Sequence, residues 1–328
     1  MNTKLVYVVI SNDQDIYLEQ AWASAYSARY YNPNAYIVFF TDEETKKNIL
    51  QTPRKSVMTI INEIITIPFQ EKFNNMQRSR YIKTNLRNLI EGDILFIDTD
   101  TVITKNIEEI DKWQINIGAV QDLHCSFDKF PFAEEVRKAI KKIYGINQIN
   151  PQTEYFNSGV LYIKDTPESR SFFSAWHKNW KYSLSQGVST DQQSLIKTVN
   201  DMPNIITPIS GNYNCQILGS IQYLHTSKIV HFFNAKWNTN SLNPFFDKDL
   251  YLKIKSNGEI TKDIEYQLIH CKELFISPSA PICSEDIVIW NSPIFSLLKW
   301  INSNHKLLYR GLQFISRRVI WLIKRYCK

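Results

Sequence analysis

Two acidic side chains separated by one threonine follow an apolar run in the stretch ILFIDTDTVI, residues 94–103. The apolar run predicts a buried strand that ends at Asp98, so that Asp98 and Asp100 lie where the chain turns. Two carboxylates this close together can converge on one divalent cation, and hard oxygen ligands favour Mn²⁺ or Mg²⁺. They can also divide, with one on a metal ion and the other on a sugar hydroxyl.

The same pair has two other interpretations. A bare D-x-D occurs by chance roughly once in a chain of this length, so both residues can be solvated turn aspartates. The pattern also fits the nucleophile loop of haloacid-dehalogenase-type phosphatases, with Asp98 attacking phosphate and Asp100 as acid and base. That loop follows the first strand of its fold, whereas two or three strand–helix units precede Asp98 here.

The elements that position these residues alternate between strand and helix patterns. Strands are expected at 5–11, 35–42, 59–67, 94–98, 116–121 and 156–163, and helices at 16–31, 74–91, 132–144, 168–185 and 190–200. This alternation predicts an α/β fold with a mixed, mostly parallel sheet that helices flank. Ligands of such sheets bind at the carboxyl ends of the strands, where the two aspartates fall.

The glycines exclude the common phosphate-binding loops. Nine glycines occur and no two are closer than eight residues, which excludes G-x-G-x-x-G and G-x-x-x-x-G-K-[ST]. A bound nucleotide would need another device for its phosphates, and a divalent cation is the obvious one. Gly159 interrupts a strand pattern, which indicates a close backbone approach or a bulge.

The cysteines and the apolar runs indicate a cytosolic protein. The five cysteines are scattered without C-x-x-C spacing, which predicts reduced thiols rather than disulfides or a zinc site. The apolar run Leu5–Ile10 is too short for a signal peptide, and no uninterrupted apolar run reaches about 18 residues, so no membrane-spanning helix is expected.

The net charge of +6 is concentrated at the C-terminal end. Eight basic and no acidic residues follow Asp286, and the rest of the chain has 30 basic and 32 acidic residues. An apolar helical stripe is formed by Leu308, Leu312, Ile315, Val319, Leu322 and Tyr326, opposite Lys306, Arg310, Arg317, Lys324 and Lys328.

This pattern predicts a basic amphipathic segment, residues 297–328, on an anionic membrane surface, where each cation contributes about 1 kcal/mol. The alternative is a helix docked on the catalytic domain with solvated cations. Nucleic acid is not an expected partner, because the rest of the chain is slightly acidic and has no recognised binding motif. The expected domains are 1–280, which is catalytic, and 281–328, which is helical and membrane-associating.

Four stretches in a fixed order carry a resemblance to a known family. They are ISNDQDIY (10–17), ILFIDTD (94–100), YFNSGVLYI (155–163) with STDQQSL (189–195), and IVHFFNAKW (229–237). Across residues 4 to 237 the chain resembles GT-A-fold nucleotide-sugar glycosyltransferases, and it is most similar to glycosyltransferase family 8 and its bacterial relatives.

The resemblance implies a UDP-sugar donor and a metal cofactor, Mn²⁺ or Mg²⁺. It implies that Asp98 and Asp100, with Thr99 between them, hold the cation against the diphosphate, and that His231 is the third ligand. It also implies that Lys236 contacts the diphosphate. The family pattern H-F-x-G-x-x-K-P-W reads HFFNAKW here, one residue shorter and without its glycine and proline.

The donor nucleotide and sugar have further expected contacts. By resemblance, Ser11, Asn12 and Asp13 meet the uridine and ribose, and Tyr17 stacks on uracil. On the helix before the D-x-D, Arg80 and Lys83 share a face and are expected to reach the nucleotide or its phosphates, whereas Arg78 and Arg87 are expected on the solvated face. The resemblance also implies that Asp122, Asn157, Asp191 and Gln192 lie around the transferred sugar.

The resemblance and these patterns together imply a metal-dependent transferase that moves galactose or glucose from UDP to a membrane-associated glycan. The expected acceptor is a hydroxyl of lipopolysaccharide or a capsular oligosaccharide, at the cytoplasmic face of the cell membrane. Retention of configuration is expected because no general base stands out. The alternatives are the phosphatase and a catalytically silent sugar-nucleotide-binding protein.

Overall fold

The computed structural model describes residues 1–69, 72–217, 219, 222–232, 245, 248–272, 288–289 and 292–326. The chain divides into two compact units, Met1–Leu274 and Phe275–Lys328. The strands are β1 Lys4–Val8, β2 Ile37–Thr41, β3 Glu63–Thr66, β4 Ile94–Ile97, β5 Thr101–Ile103, β6 Ile117–Gln121, β7 Phe156–Ile163, β8 Ile206–Pro208, β9 Cys215–Gln216 and β10 Ile229–His231. The α-helices are α1 Tyr17–Tyr31, α2 Glu43–Gln51, α3 Asn75–Asn85, α4 Ala133–Tyr144, α5 Pro167–Ser185, α6 Gln192–Asp201, α7 Lys248–Asn257, α8 Lys262–Ile269, α9 Pro293–Asn304 and α10 Lys306–Tyr326.

A seven-stranded sheet with the order β3-β2-β1-β4-β7-β6-β8 forms the centre of the first unit. Only β7 runs antiparallel to its neighbours among these strands. Helices cover the sheet, so that its central strands are buried and read as continuous apolar runs such as ILFI in β4. The predicted α/β fold with a mixed, mostly parallel sheet is confirmed.

The antiparallel strand β7 begins where its two neighbours, β4 and β6, end. Because β7 runs opposite to β4 and β6, its first residues lie beside the last residues of those two strands. The backbone N–H of Asp98, just beyond β4, donates to the carbonyl oxygen of Gly159 at 2.7 Å. Polar residues that follow β4 and β6 therefore meet the start of β7.

A second, three-stranded sheet with the order β5-β10-β9 returns a later part of the chain to the D-x-D turn. β10 pairs antiparallel with β5, and this register puts His231 opposite Thr101. The backbone N–H of Phe232 donates to the carbonyl oxygen of Asp100 at 2.9 Å. This sheet, together with α2, α7 and α8, was not predicted from the sequence.

Helices α3 and α5 support the D-x-D strand from one face. Asn74 and Gln77 form a capping box at the start of α3, and Thr166 caps α5 ahead of Pro167. Apolar side chains of β1, β4, β7, α3 and α5 share one buried cluster. Burial of its large aromatic side chains stabilises the helices against the sheet.

The expectation that Arg78 and Arg87 lie on a solvated face is wrong for Arg87, whereas the Arg78 side chain is 26% exposed. The α-helix ends at Asn85 and a 3₁₀ turn, Leu86–Asn88, follows, so Arg87 does not continue the helical phase. Its side chain is fully buried, donates to the Gly92 carbonyl at 2.6 Å and lies 3.4 Å from Asp165. Arg78 pairs with Asp42 at 2.7 Å.

The described part of the second unit is helical. The predicted single helical segment is broken at His305, which ends α9 before α10 begins. Of the residues expected on the apolar stripe, Leu308, Ile315, Val319 and Leu322 are each 46–58% exposed. None of the helices in the described residues combines the length and the apolar character needed to cross a membrane.

Candidate active site

Asp98, Asp100 and His231 form a cluster at the edge of the central sheet. One ligand atom from each residue lies within 4.8 Å of the others, and His231 Nε2 lies 3.1 Å from Asp100 Oδ1. The two carboxylates come from the turn after β4, and the imidazole comes from the end of β10. Two carboxylate oxygens and one imidazole nitrogen suit a cation such as Mn²⁺ or Mg²⁺, so these residues fit the cofactor that the sequence predicts.

Gly159 provides the space in which His231 lies. A Cβ atom at this position would collide with Cε1 of His231 and would lie 2.9 Å from its Nδ1. The close backbone approach that a glycine inside a strand predicts is therefore confirmed. In β6, which pairs with β7, the register of the pairing shifts between Ala119 and Gln121.

Lys83 links the D-x-D turn to the start of α6. Its side chain is 2% exposed, and its ammonium nitrogen lies 3.2 Å from Asp98 Oδ1 and 3.3 Å from Asp191 Oδ2. The same nitrogen lies 4.9 Å from the centre of the Phe96 ring. A buried ammonium group between two carboxylates compensates part of their charge and fixes both of them in place.

Asp191 is held as a carboxylate. Burial alone would raise its pKa, but the charges of Lys83 and Arg80 and a hydrogen bond from Ser158 outweigh burial, so its pKa lies below the ordinary value. Arg80 Nε lies 2.9 Å from Asp191 Oδ1, and the Ser158 hydroxyl donates to Oδ2 at 2.9 Å. The pKa of Asp98, by contrast, is raised, mainly by burial.

A chain of hydrogen bonds leads from the cluster to Asp122. Asn214 Oδ1 lies 2.9 Å from His231 Nδ1, and Asn214 Nδ2 donates to Asn157 Oδ1 at 2.9 Å. Asn157 Nδ2 then donates to Asp122 Oδ1 at 2.9 Å. Burial raises the pKa of Asp122, and the bond from Asn157 partly offsets this. Gln192 Nε2 donates to the Phe156 carbonyl at 2.6 Å, beside this chain.

The turn after Asp122 has an unusual backbone. Leu123 and His124 have φ values of 52° and 58°, in the left-handed region that non-glycine residues rarely adopt. Gln216 holds this turn, because its side chain accepts from the Leu123 N–H at 2.8 Å and donates to the Gln121 carbonyl at 3.0 Å. Sequence reasoning missed both Asn214 and Gln216, since no motif marks two polar residues that become buried beside partners far away in the chain.

A cavity of about 400 Å³ opens beside the D-x-D turn. It is lined by Val8, Ile10, Tyr17, Gln20, Asn75, Met76, Ser79, Arg80, Asp98, Thr99 and Asp100. Tyr17 is 51% exposed, so its ring is accessible to a ligand. The polar lining residues Gln20, Asn75 and Ser79 were not predicted. A cavity of this size with convergent polar groups suits a small-molecule ligand.

The sequence matches the model of the family described as glycosyl transferase family 8 over residues 8–239. The chain belongs to this family. Membership supports glycosyl transfer as its activity, and it agrees with the resemblance that the four motifs predicted. No curated protein matches this family 8 chain.

Solved structures give a second comparison for the family 8 chain. The apo structure of WbbM, a bifunctional glycosyltransferase, is 15% identical with a TM-score of 0.54, and the match covers 81% of this chain and 51% of WbbM. Mouse xyloside xylosyltransferase 1 is 13% identical with a TM-score of 0.48, covering 71% of this chain and 98% of that one. The galactosyltransferase LgtC, in complex with donor and acceptor sugar analogs, is 13% identical with a TM-score of 0.48, covering 81% of this chain and 100% of LgtC. The likeness to WbbM agrees with the GT-A fold.

The predicted donor residues of this family 8 glycosyltransferase fall into two groups. Tyr17, Arg80 and the D-x-D residues line the cavity. Ser11, Asn12 and Asp13 instead lie in the loop between β1 and α1 and are not among the described residues that line it. In that loop the Ser11 hydroxyl donates to Asp15 Oδ1 at 2.5 Å, and the Asn12 N–H donates to Asp15 Oδ2 at 3.0 Å.

The two lysines that the sequence predicts at the phosphates are Lys83 and Lys236. Lys83 is not among the described lining residues of the cavity, and its ammonium group contacts Asp98 and Asp191. Lys236 lies outside the described residues. Contact of either lysine with a nucleotide stays a prediction.

Proposed function

We propose that this family 8 glycosyltransferase is a metal-dependent, retaining hexosyltransferase that uses a UDP-sugar, with galactose or glucose as the hexose. The observation that carries the proposal is the Asp98, Asp100 and His231 cluster, two members of which line the cavity of about 400 Å³. A divalent cation bound by these three residues would neutralise negative charge on the diphosphate that leaves the sugar. UDP would occupy the cavity.

The nucleotide half of the donor is assigned to the cavity walls. The exposed ring of Tyr17 stacks on uracil, and the Arg80 guanidinium, which lines the same cavity, lies near the phosphates. Lys236 contributes a second cation to the diphosphate. Ser11, Asn12 and Asp13 shape the loop that borders the ribose, with Asp15 as its anchor.

The sugar half is assigned to residues at the end of β6 and at the start of β7 and α6. Asp122 and Asp191 accept hydrogen bonds from sugar hydroxyls, and Asn157 orients Asp122 through its amide group at 2.9 Å. Gln192 lies beside the anomeric carbon. Asp191 is a poor general base because Lys83 and Arg80 lower its pKa. An inverting transfer would need a carboxylate that accepts the proton of the attacking acceptor hydroxyl, and Asp191 does not suit that role.

The acceptor is a hydroxyl of a membrane-associated glycan, such as lipopolysaccharide or a capsular oligosaccharide. The second unit supports this assignment, since α10 combines half-exposed apolar side chains with exposed Arg310, Arg317 and Arg318. Such a helix lies in the plane of an anionic leaflet. The protein would then act in the cytoplasm, peripherally bound to the inner face of the cell membrane.

The test is release of UDP from UDP-galactose or UDP-glucose in the presence of Mn²⁺, with and without EDTA. We expect release that EDTA abolishes and that added Mn²⁺ restores. The anomeric configuration of the product, read by NMR, tests retention. Tight UDP binding with no turnover on any acceptor would instead support a silent binder.

The phosphatase alternative is disfavoured by the position of the D-x-D after the fourth strand and by the family match. A direct assay separates it from the transferase. Phosphate released from a generic phosphomonoester and lost in Asp98→Asn would overturn the transferase assignment, and absence of that release supports it.

A further inference from the structure

Asn214 is a buried amide that joins the cation cluster to the sugar-facing residues. It is fully buried, and it follows a short 3₁₀ turn, Gly211–Tyr213, just before β9. Its side chain contacts His231 on one side and Asn157 on the other, each at 2.9 Å. Since burial removes water as a partner, each of these amide atoms depends on its neighbour in the chain.

The direction of every hydrogen bond in this chain follows from one backbone group. The N–H of Gly159 can only donate, and it lies 2.9 Å from Asn157 Oδ1, which must therefore be the acceptor oxygen. The other end of the Asn157 side chain is then its NH₂ group, which faces the Asp122 carboxylate. This orientation satisfies both groups, whereas the flipped amide would place an oxygen against a carboxylate.

The acceptor oxygen of Asn157 also determines the hydrogen bonds between Asn157 and His231. The Asn214 atom that faces Asn157 Oδ1 must be a donor, so it is Nδ2. The atom that faces His231 is then Asn214 Oδ1, which can only accept. His231 Nδ1 must carry the proton of this hydrogen bond. Without a cation, Nε2 donates its own proton to Asp100 Oδ1 at 3.1 Å, and a cation bound at Nε2 would take the place of that proton.

We propose that Asn214 is a positioning residue that fixes the Nδ1–H tautomer of His231 and so directs Nε2 toward the cation. The proposal rests on the proposed function in that His231 is a metal ligand. Outer hydrogen bonds of this kind orient the ring and raise its basicity, and their loss commonly costs about 10- to 100-fold in metal affinity. The donor and acceptor order of these hydrogen bonds is determined by the Gly159 N–H. The backbone of β7 therefore determines which nitrogen of His231, on β10, is protonated.

The experiment uses the full chain labelled with ¹⁵N-histidine and loaded with Mg²⁺, a diamagnetic cation that suits the same ligands. The His231 resonances are identified as those absent from His231→Gln. We expect a protonated Nδ1 in the unaltered chain with and without Mg²⁺, and loss of the Nε2 proton when Mg²⁺ binds. In Asn214→Ala we expect loss of this single tautomer and a rise in the Mn²⁺ dissociation constant of about 10-fold or more. Asn212→Ala is the matched control, because its side chain contacts Thr226 rather than His231.

Each outcome is informative. An unprotonated Nδ1 in the unaltered, Mg²⁺-loaded chain overturns the proposal even if Asn214→Ala does not fold. Unchanged tautomer and Mn²⁺ affinity in a folded Asn214→Ala also overturn it. If the Nδ1 proton is present and depends on Asn214 but neither Mn²⁺ nor Mg²⁺ binds, the role of Asn214 stands and the metal-dependent function fails.

Discussion

The imidazole of His231 lies directly against the backbone of Gly159, two residues after Asn157 in β7. Any larger residue at this position must displace the imidazole or the strand. We expect Gly159→Ala to lower the free energy of unfolding by about 1–3 kcal/mol through overpacking and to weaken Mn²⁺ binding by about 10-fold. Chemical denaturation and Mn²⁺ titration measure the two effects.

Gly311→Ala is the control for this substitution. Nothing lies within 4 Å of a Cβ at Gly311, and alanine favours the helix, so stability should stay constant or rise slightly. Full Mn²⁺ affinity in Gly159→Ala would show that the ring does not need this space.

The buried ion pair of Lys83 and Asp191 predicts strong energetic coupling. Removing one partner leaves an uncompensated buried charge, so Lys83→Met should destabilise the protein by about 3 kcal/mol. In a double-mutant cycle with Asp191→Asn, we expect the two effects to fall short of additivity by at least about 1 kcal/mol. The more accessible pair Lys197 and Asp201, one helical turn apart with side chains 19% and 42% exposed, should couple by only about 0.3–0.5 kcal/mol. Equal coupling energies in both cycles would show that burial does not strengthen the interaction between Lys83 and Asp191.

His177 predicts a dependence of stability on pH. Burial, with a smaller contribution from Lys181, lowers its pKa from 6.5 to about 4. It packs on Trp180 and lies 2.9 Å from the Thr84 hydroxyl, which is on the helix that carries Lys83. Because the unfolded chain binds the proton more tightly, stability is full above pH 6.5 and falls as the pH decreases toward 4, by up to about 3 kcal/mol.

Denaturation measured between pH 7 and pH 4.5 tests this prediction. The slope should be smaller in His177→Gln than in the unaltered chain. His225→Gln is the control, since His225 is exposed and its loss should leave the slope unchanged. The same slope in all three proteins would show that the titration of His177 does not limit stability.

The basic helix α10 predicts binding to anionic vesicles. Reversing the charges of Arg310, Arg317 and Arg318 should weaken co-sedimentation by about 100-fold or more, since each cation contributes about 1 kcal/mol. Added salt should weaken binding of the unaltered chain. Reversal of the exposed Lys138, Lys141 and Lys142 on α4 is the matched control. Equal loss in both triple variants would assign the interaction to overall charge rather than to α10.

Local sequence patterns predicted the strand and the helix that lie next to the site, β7 and α5. The strand expected at 156–163 is β7, and the helix expected at 168–185 begins one residue earlier, at Pro167. Both depend on apolar periodicity and on caps, which neighbouring residues determine. The cluster of Asp98 and Asp100 with His231 was expected from motif order, and the structure brings the three residues together.

Long-range polar contacts were not predictable in the same way. Helical spacing shows that Lys83 shares a face of α3 with Arg80, which led to its expected place at the nucleotide. Spacing does not show which residues of other elements that face contacts. The burial of Lys83 against Asp191 depends on where α6 begins, more than 100 residues later. Asn214 and Gln216 become functional candidates only through β9 and β10, two short strands whose pairing partners are remote in sequence. Their type and spacing carry no signal of this arrangement.

The most direct test of the central claim is the binding of Mn²⁺ measured by electron paramagnetic resonance, with and without UDP. We expect one Mn²⁺ per chain, tighter binding when UDP is present, and loss of that binding in Asp100→Asn with the fold retained. Mn²⁺ binding that is unaffected by Asp100→Asn, or that does not respond to UDP, would contradict a cation held between this cluster and a nucleotide diphosphate.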